Sequence, residues 1–236
     1  MLESPDMSAQ THAAVRLFLA SNSPRRRDLL ALGKWEYTIL SAQVDERPLP
    51  GEDGPDYVHR LARSKAHAAA SQVGVEAVVL AADTTVVDPG AGNETKIMGK
   101  PADETEALDM LQQLRGHVHQ VYTAIAVLHT PANTLLTDLC ATDVPMRNYS
   151  DEEIKAYIAS GDPMDKAGAY AIQHAGFHPV ETLVGCFANV MGLPLCHLTR
   201  TLHKLGVTPN ADLPGACQAA LEYDCPIYNQ VLEGRI

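Results

Sequence analysis

The sequence predicts a mixed α/β fold with a partly antiparallel sheet. Three observations carry that expectation. Apolar strand-like runs alternate with helical stretches from residue 15 to residue 114, a nearly continuous apolar run covers 77–87, and two long β-like segments at 118–128 and 135–146 flank a Pro131-Ala132-Asn133-Thr134 turn. The alternation asks for helices packed over a sheet. The turn asks for a hairpin, whose two strands must run antiparallel.

Residues 15–20, V-R-L-F-L-A, read as a short strand. A helix follows at 24–32, its start marked by Ser23 as N-cap and Pro24 as first helical residue. Residues 36–40 read as a second strand. The Ala-rich segment 56–72 sets Tyr57, Leu61, Ala62, Lys65 and Ala69 near helical spacing. The run 77–87 is broken only by Asp83, Thr84 and Thr85 and suits a strand covered on both faces. A Gly/Pro turn at 89–93 and Gly99-Lys100-Pro101 lead into a helix at 103–114, with Asp103 as N-cap and Glu106 three residues on. After the hairpin, Ser150 caps a helix to 160, and Glu153 completes a Ser-x-x-Glu box. A glycine-dotted stretch spans 161–192, and a last helix covers 193–205. Residues 1–14 read as a disordered leader, 15–207 as the folded domain, and 208–236, with little periodicity, as an appended tail that either covers a surface or supports a homodimer.

With 236 residues, 46% hydrophobic and 20% charged, the chain has the composition of one folded domain with an appendage. The balance of 18 basic against 29 acidic side chains, net −11, argues against a nucleic-acid polymer as partner. An anion would have to be held by a local cationic cluster inside a negative envelope. Five scattered cysteines without a Cys-x-x-Cys pair suit a reducing compartment. No stretch approaches the ~20 apolar residues of a membrane span, and the start carries Glu3 and Asp6 where a secretory signal needs basic residues. These features point to the cytoplasm.

Several residues are costly unless they do chemistry. Arg25, Arg26 and Arg27 fill the first turn of a helix, whose N-terminus already carries positive partial charge and prefers acids. Either an anion sits in front of them, where free backbone N–H groups also point, or they fan into solvent. Asp83 lies inside an apolar run, and an unpaired buried carboxylate costs several kcal/mol. It either opens into a cleft to hold a metal or a water, or it caps a neighbouring helix or sits in a turn. Asp45 and Glu46 are adjacent acids; one of them joins Asp83 in a hard oxygen site for Mg²⁺ or Mn²⁺, or both are merely solvated. Lys65, Lys100 and Lys166 stand among small residues, as surface lysines or as point charges on phosphate. His117 and His119 share a strand face without a third metal ligand, and Cys217 and Cys225 lack the spacing of a zinc site. Ser21 and Ser23 have no activating base in sequence.

Taken in order, Ser21-Asn22-Ser23-Pro24-Arg25-Arg26, Asp45-Glu46, Arg60-Leu61-Ala62-Arg63-Ser64-Lys65-Ala66, Ala82-Asp83-Thr84, Gly99-Lys100-Pro101, His119-Gln120-Val121-Tyr122-Thr123, Asp165-Lys166-Ala167-Gly168-Ala169-Tyr170-Ala171-Ile172-Gln173 and Gly192-Leu193-Pro194-Leu195 resemble the motifs of the Maf family of nucleoside triphosphate pyrophosphatases. The resemblance covers about 17–205. It implies the ITPase-like (Maf/Ham1) fold, an elongated mixed sheet flanked by helices, in two lobes with a central cleft. It implies a hydrolase that cuts between the α- and β-phosphates with a divalent cation. Asp83 would then be the general base, Glu46 and Asp83 would hold Mg²⁺ or Mn²⁺, and Arg25, Lys65 and Lys100 would neutralise the triphosphate. Ser21, Ser23, Arg26 and Lys166 join them as substrate-binding positions. Arg25, Thr84 and Gln173 match the branch that acts on dTTP and UTP, with modified pyrimidine nucleotides as further substrates, and Gln173 can offer a donor and an acceptor to a pyrimidine edge. The alternatives are the branch preferring 7-methyl-GTP and a non-enzymatic nucleotide-sensing regulator of cell division. Ala171 and His174 replace glycines that often flank Ile-Gln in the family, which implies a different loop geometry near the base.

Overall fold

The computed structural model describes residues 16–74, 76–90 and 95–236. The leader expected at 1–14, residue 15 of the first expected strand and residues 91–93 of the expected turn lie outside them.

Six strands form one mixed sheet: β1 (Arg16–Ala20), β2 (Tyr37–Leu40), β3 (Ala77–Asp88), β4 (Lys96–Met98), β5 (Val118–His129) and β6 (Thr134–Pro145). Their order is β2-β1-β3-β5-β6, with β4 on the β1 side of β3. The β1–β2 and β1–β3 pairings are parallel, because α1 (Pro24–Ala31) and α2 (Gly54–Ala70) carry the chain back between strands. From β3 to β6 the pairing is antiparallel, and the expected hairpin is β5–β6.

Strand alternation decides what each face meets. Val79, Ala81, Ala124 and Ala126 face α2, whose Tyr57, Val58, Leu61, Ala62, Ala66 and Ala69 close one core layer. Val78, Leu80, Ala82, Ile125 and Val127 face the other way, against Leu29 and Leu30 of α1, α5 (Phe187–Met191) and α6 (Leu195–His203). A third cluster surrounds α3 (Glu104–Leu114) and α4 (Asp151–Ala159) at the far end of the sheet. β3 is buried on both faces along its length, with Thr84 alone half-buried. Each buried Leu or Ile in these layers contributes on the order of 2 kcal/mol.

The local signals act as their chemistry requires, with shifts at the ends. The Ser150–Glu153 box closes reciprocally at the start of α4. Asp103 caps α3, but Glu106 reaches past it to the Ala102 N–H. α2 begins earlier than its periodicity suggests, because the Asp53 carboxylate accepts from Asp56 N. The helix expected over 193–205 is α6, trimmed to Leu195–His203; α5 is a separate short helix inside the expected glycine-dotted stretch and ends at Gly192, whose φ is +107°. Within 161–192 the backbone makes two short 3₁₀ turns, Asp162–Asp165 and Ala167–Ala169, before α5.

Residues 208–236 include α7 (Leu213–Leu221) and α8 (Tyr228–Leu232), which cover the α6 side of the core. Leu213 and Val231 are buried. Trp35 Nε1 donates to Thr208 O at 2.9 Å, and Arg200 donates to the Val231 carbonyl. All five cysteines are free thiols; Cys186, Cys196, Cys217 and Cys225 line one small apolar pocket under α7. Among the described residues no helix is long and apolar enough to cross a membrane.

Candidate active site

The site begins as a break in one edge of β3. β1 pairs with it over Arg16–Leu19, opposite Ala77–Leu80, and β4 resumes the same edge only at Val86. Among the described residues, 81–85 therefore have no strand neighbour on that side, while β5 runs unbroken along the other. Ser21-Asn22-Ser23, leaving β1, and Gly99-Lys100, leaving β4, border the opening. It widens into a cleft of about 730 Å³, well within the range of small-molecule sites. Six cations (Arg25, Arg26, Arg47, Lys65, Lys100, Lys166) line it against the carboxylates of Glu46, Asp83 and Asp165. A chain of net charge −11 thus builds a locally cationic cavity.

Consecutive residues of β3 serve opposite faces. Asp83 shares the α2 face, where Lys65 stands one turn after Leu61 on the buried stripe of the helix. Lys65 Nζ lies 2.6 Å from Asp83 Oδ1 and 2.6 Å from Glu46 Oε1. Asp83 is 6% exposed, and its second oxygen has no protein partner among the described residues. Burial pushes its carboxyl above the ordinary carboxylate range, against the opposing pull of Lys65 and Arg26. Burial acts in the same direction on Glu46, but there Lys65, with Lys100 and Arg26, prevails and holds the carboxyl below its usual value. Tyr57 fixes the Glu46 loop by donating from its hydroxyl to Glu46 O at 2.8 Å. The helical spacing of Tyr57 gave no hint of that role.

Thr84 points to the other face, towards α1. Ser23 caps α1 by accepting from Arg26 N, and Ser21 Oγ accepts from Ser23 N and from Arg26 Nη1. The Arg26 guanidinium also donates to Thr84 Oγ1 at 2.9 Å and to Gly192 O at 2.7 Å. Among the described residues its side-chain acceptors are all neutral oxygens, and its charge has no carboxylate partner there. Burial lowers its pKa, a shift that Asp83 opposes; an arginine stays protonated under such conditions. Gly192 has to be glycine here: a Cβ would meet Thr84 Oγ1 at 3.2 Å on a backbone already at positive φ.

The other expected cations differ in how free they are. Arg25 pairs with Asp165 across the mouth at 3.4 Å. Lys166 is 7% exposed, and its ammonium is taken up by Asp162 O, Asp162 Oδ1 and Asp165 Oδ1. Lys166 therefore braces the loop it belongs to, with its donors turned to protein oxygens. Lys100 is exposed at the opposite rim and has no ion pair among the described residues. Gln173 lines the cleft with an exposed side-chain amide that bonds no described residue. Its loop is held by Tyr157, whose hydroxyl accepts from Ala171 N, and His174 packs edge-on against the same ring. Arg27 stays outside the cleft, and Asp45 is spent on Arg47.

Glu46 and Asp83 converge on one cationic point, now the Lys65 ammonium, and their hard oxygens are the donors that Mg²⁺ or Mn²⁺ takes. Among the described residues no three His, Cys, Asp or Glu side chains are grouped to hold a metal alone, the His117–His119 strand included. A cation here would complete its shell with oxygens from water or a bound ligand.

A family model described as Maf-like protein matches residues 16–205, from β1 to just beyond α6. Three curated relatives carry the name dTTP/UTP pyrophosphatase. The protein of Geobacter sulfurreducens is 44% identical over 191 residues, 81% of this chain and 97% of that one. Those of Alkaliphilus metalliredigens and Geotalea uraniireducens are each 43% identical, over 80% and 82% of this chain and 95% and 97% of theirs. Among solved structures, the Ham1 protein of Staphylococcus aureus aligns at a TM-score of 0.42 and 16% identity, over 88% of this chain and 98% of that one.

Proposed function

The chain belongs to the Maf family, and from that membership and the chemistry of its cleft we propose that it hydrolyses dTTP and UTP to the nucleoside monophosphate and pyrophosphate. The observation that carries this reading is the state of Asp83. One oxygen is fixed by Lys65 while the other, in the cleft lining, has no partner among the described residues, and burial raises the basicity of the group.

Water attacks the α-phosphorus as its proton passes to Asp83. The bond from that phosphorus to the α–β bridging oxygen breaks, and pyrophosphate leaves with the electron pair. Such displacements depend mainly on positioning and on stabilising charge at the phosphoryl oxygens. Of the cations lining the cleft, Lys100 and Arg26 have no carboxylate partner among the described residues, and a phosphate chain would compete with Asp165 for Arg25. Glu46 and Asp83 would hold Mg²⁺ or Mn²⁺, which when bound adds positive charge at the phosphate oxygens. Gln173, whose amide bonds no described residue, can offer one donor and one acceptor to a pyrimidine edge. Five reduced thiols accord with a cytoplasmic setting.

Purified protein with Mg²⁺ or Mn²⁺ should release pyrophosphate from dTTP, UTP and pyrimidine-modified analogues in preference to 7-methyl-GTP. Asp83→Asn should lower kcat by about 10³-fold or more with the fold retained, as expected for loss of a positioned base. Preference for 7-methyl-GTP overturns the role given to Gln173. Tight nucleotide binding without turnover under either metal returns the protein to a sensing role.

A further inference from the structure

Arg26 is held by a chain of hydrogen bonds that runs away from the cleft into the core, and the chain has only one possible direction. Thr123 Oγ1 lies 3.0 Å from Asn189 O, a carbonyl that can only accept, so the single Thr123 proton is committed there. Thr84 Oγ1 is 2.9 Å from Thr123 Oγ1, and with that proton spoken for, Thr84 must be the donor. The lone pairs of Thr84 are then left for Arg26 Nη2 at 2.9 Å. The sequence of donors is Arg26, Thr84, Thr123, ending on the Asn189 carbonyl.

Asn189 O and Gly192 O both belong to the C-terminal end of α5 and its cap, where helix carbonyls carry negative partial charge. The guanidinium is thus balanced by neutral dipoles from two directions, Gly192 O on Nε and the threonine chain on Nη2. Thr123 is 0% exposed and does not itself line the cleft; it reaches the lining through Thr84. Asn189 is itself pinned, its amide donating to Val121 O and Thr142 Oγ1.

We propose that Thr123 is a positioning residue for the reaction: it fixes the Thr84 hydroxyl as an acceptor, and through it the Arg26 guanidinium that binds the phosphate chain. The proposal rests on the pyrophosphatase reading. One corollary follows for Thr84. Its proton points into the core, so its influence on substrate choice passes through Arg26 rather than through a bond donated to the base.

Thr123→Val keeps the shape and deletes the relay, while Thr123→Ser keeps the hydroxyl. Thr123→Val should raise the KM for dTTP and the inhibition constant of pyrophosphate about tenfold, as expected for one charge-assisted hydrogen bond, with a smaller change in kcat. Thr123→Ser should restore both to within about twofold of wild type. In an Arg26→Met background, Thr123→Val should add almost nothing, because the two changes remove the same interaction. A wild-type KM and inhibition constant in Thr123→Val, or full additivity with Arg26→Met, overturns the relay. Should Thr123→Val not fold, Thr123→Cys carries the same comparison, its weak S–H standing in the same volume. If the wild-type protein releases no pyrophosphate from dTTP or UTP, the activity reading fails. The relay is then judged by calorimetry with pyrophosphate, where equal affinities of wild type and Thr123→Val refute it.

Discussion

At the scale of single residues, the site turns on how a carboxylate and an ammonium share a buried position. Lys65 lowers the proton affinity that burial gives Asp83, so the proposed base is set by two opposing effects. A general base works only when ionised, and activity falls as pH drops through its pKa. Lys65→Met removes the lowering charge, so the acid limb of the kcat/KM profile should move to higher pH. A limb that stays in place in that variant separates Lys65 from the base. Asp83 was legible in the sequence for a plain reason: an acid inside an apolar run is expensive. Arg26 was legible as one of three arginines in a helix turn that repels cations. That Arg26 turns inward while Arg27 does not depends on Gly192 and Thr84, which pattern alone cannot bring beside it.

Among the elements, strand and helix identity could be read where periodicity is long, and failed where it is short. β3 announces itself by a run buried on both faces, and α4 by its capping box. β4 is three residues long and lacks any period, yet it forms the far border of the cleft. α7 and α8 were read as a tail with little periodicity because short helices that cover a core bury only a few side chains each. α5 was missed because its five residues lie in a glycine-dotted stretch and are too few to show a period, while its end at Gly192 is set by a positive φ beside Thr84. Gly192→Ala should cost about 1–3 kcal/mol of stability from that strained backbone. It should also weaken substrate binding, since the new methyl pushes on the Thr84 hydroxyl that anchors Arg26. Thermal melts and the KM for dTTP check the two effects separately. An unchanged KM with a lowered melting temperature would confine Gly192 to the fold.

The molecule as a whole carries an acid sensitivity that is separate from its chemistry. His119 and His197 are buried, each has an Nδ1 without a partner among the described residues, and burial lowers both pKa values from 6.5 to about 4. The unfolded chain then binds more protons than the folded one between those values. The stabilisation is complete above 6.5 and is lost as pH falls towards 4, on the order of 3 kcal/mol for each histidine. Asp83 runs the other way: its raised pKa means that ionisation costs stability as pH climbs from 3.8 through the folded value. Melting temperature should fall between pH 6.5 and 4, and His197→Gln should flatten that slope. An equally steep slope in the variant would clear His197 of the effect. The interrupted edge of β3 has a metrical consequence. Both borders of the opening are bolted to a single inextensible strand, at roughly 3.4 Å per residue, so the molecule works as a calliper with fixed jaws. A ligand shorter by one phosphoryl unit leaves one jaw empty; kcat/KM for dTDP should drop well below that for dTTP, and parity between them would mean the gauge reads something other than length.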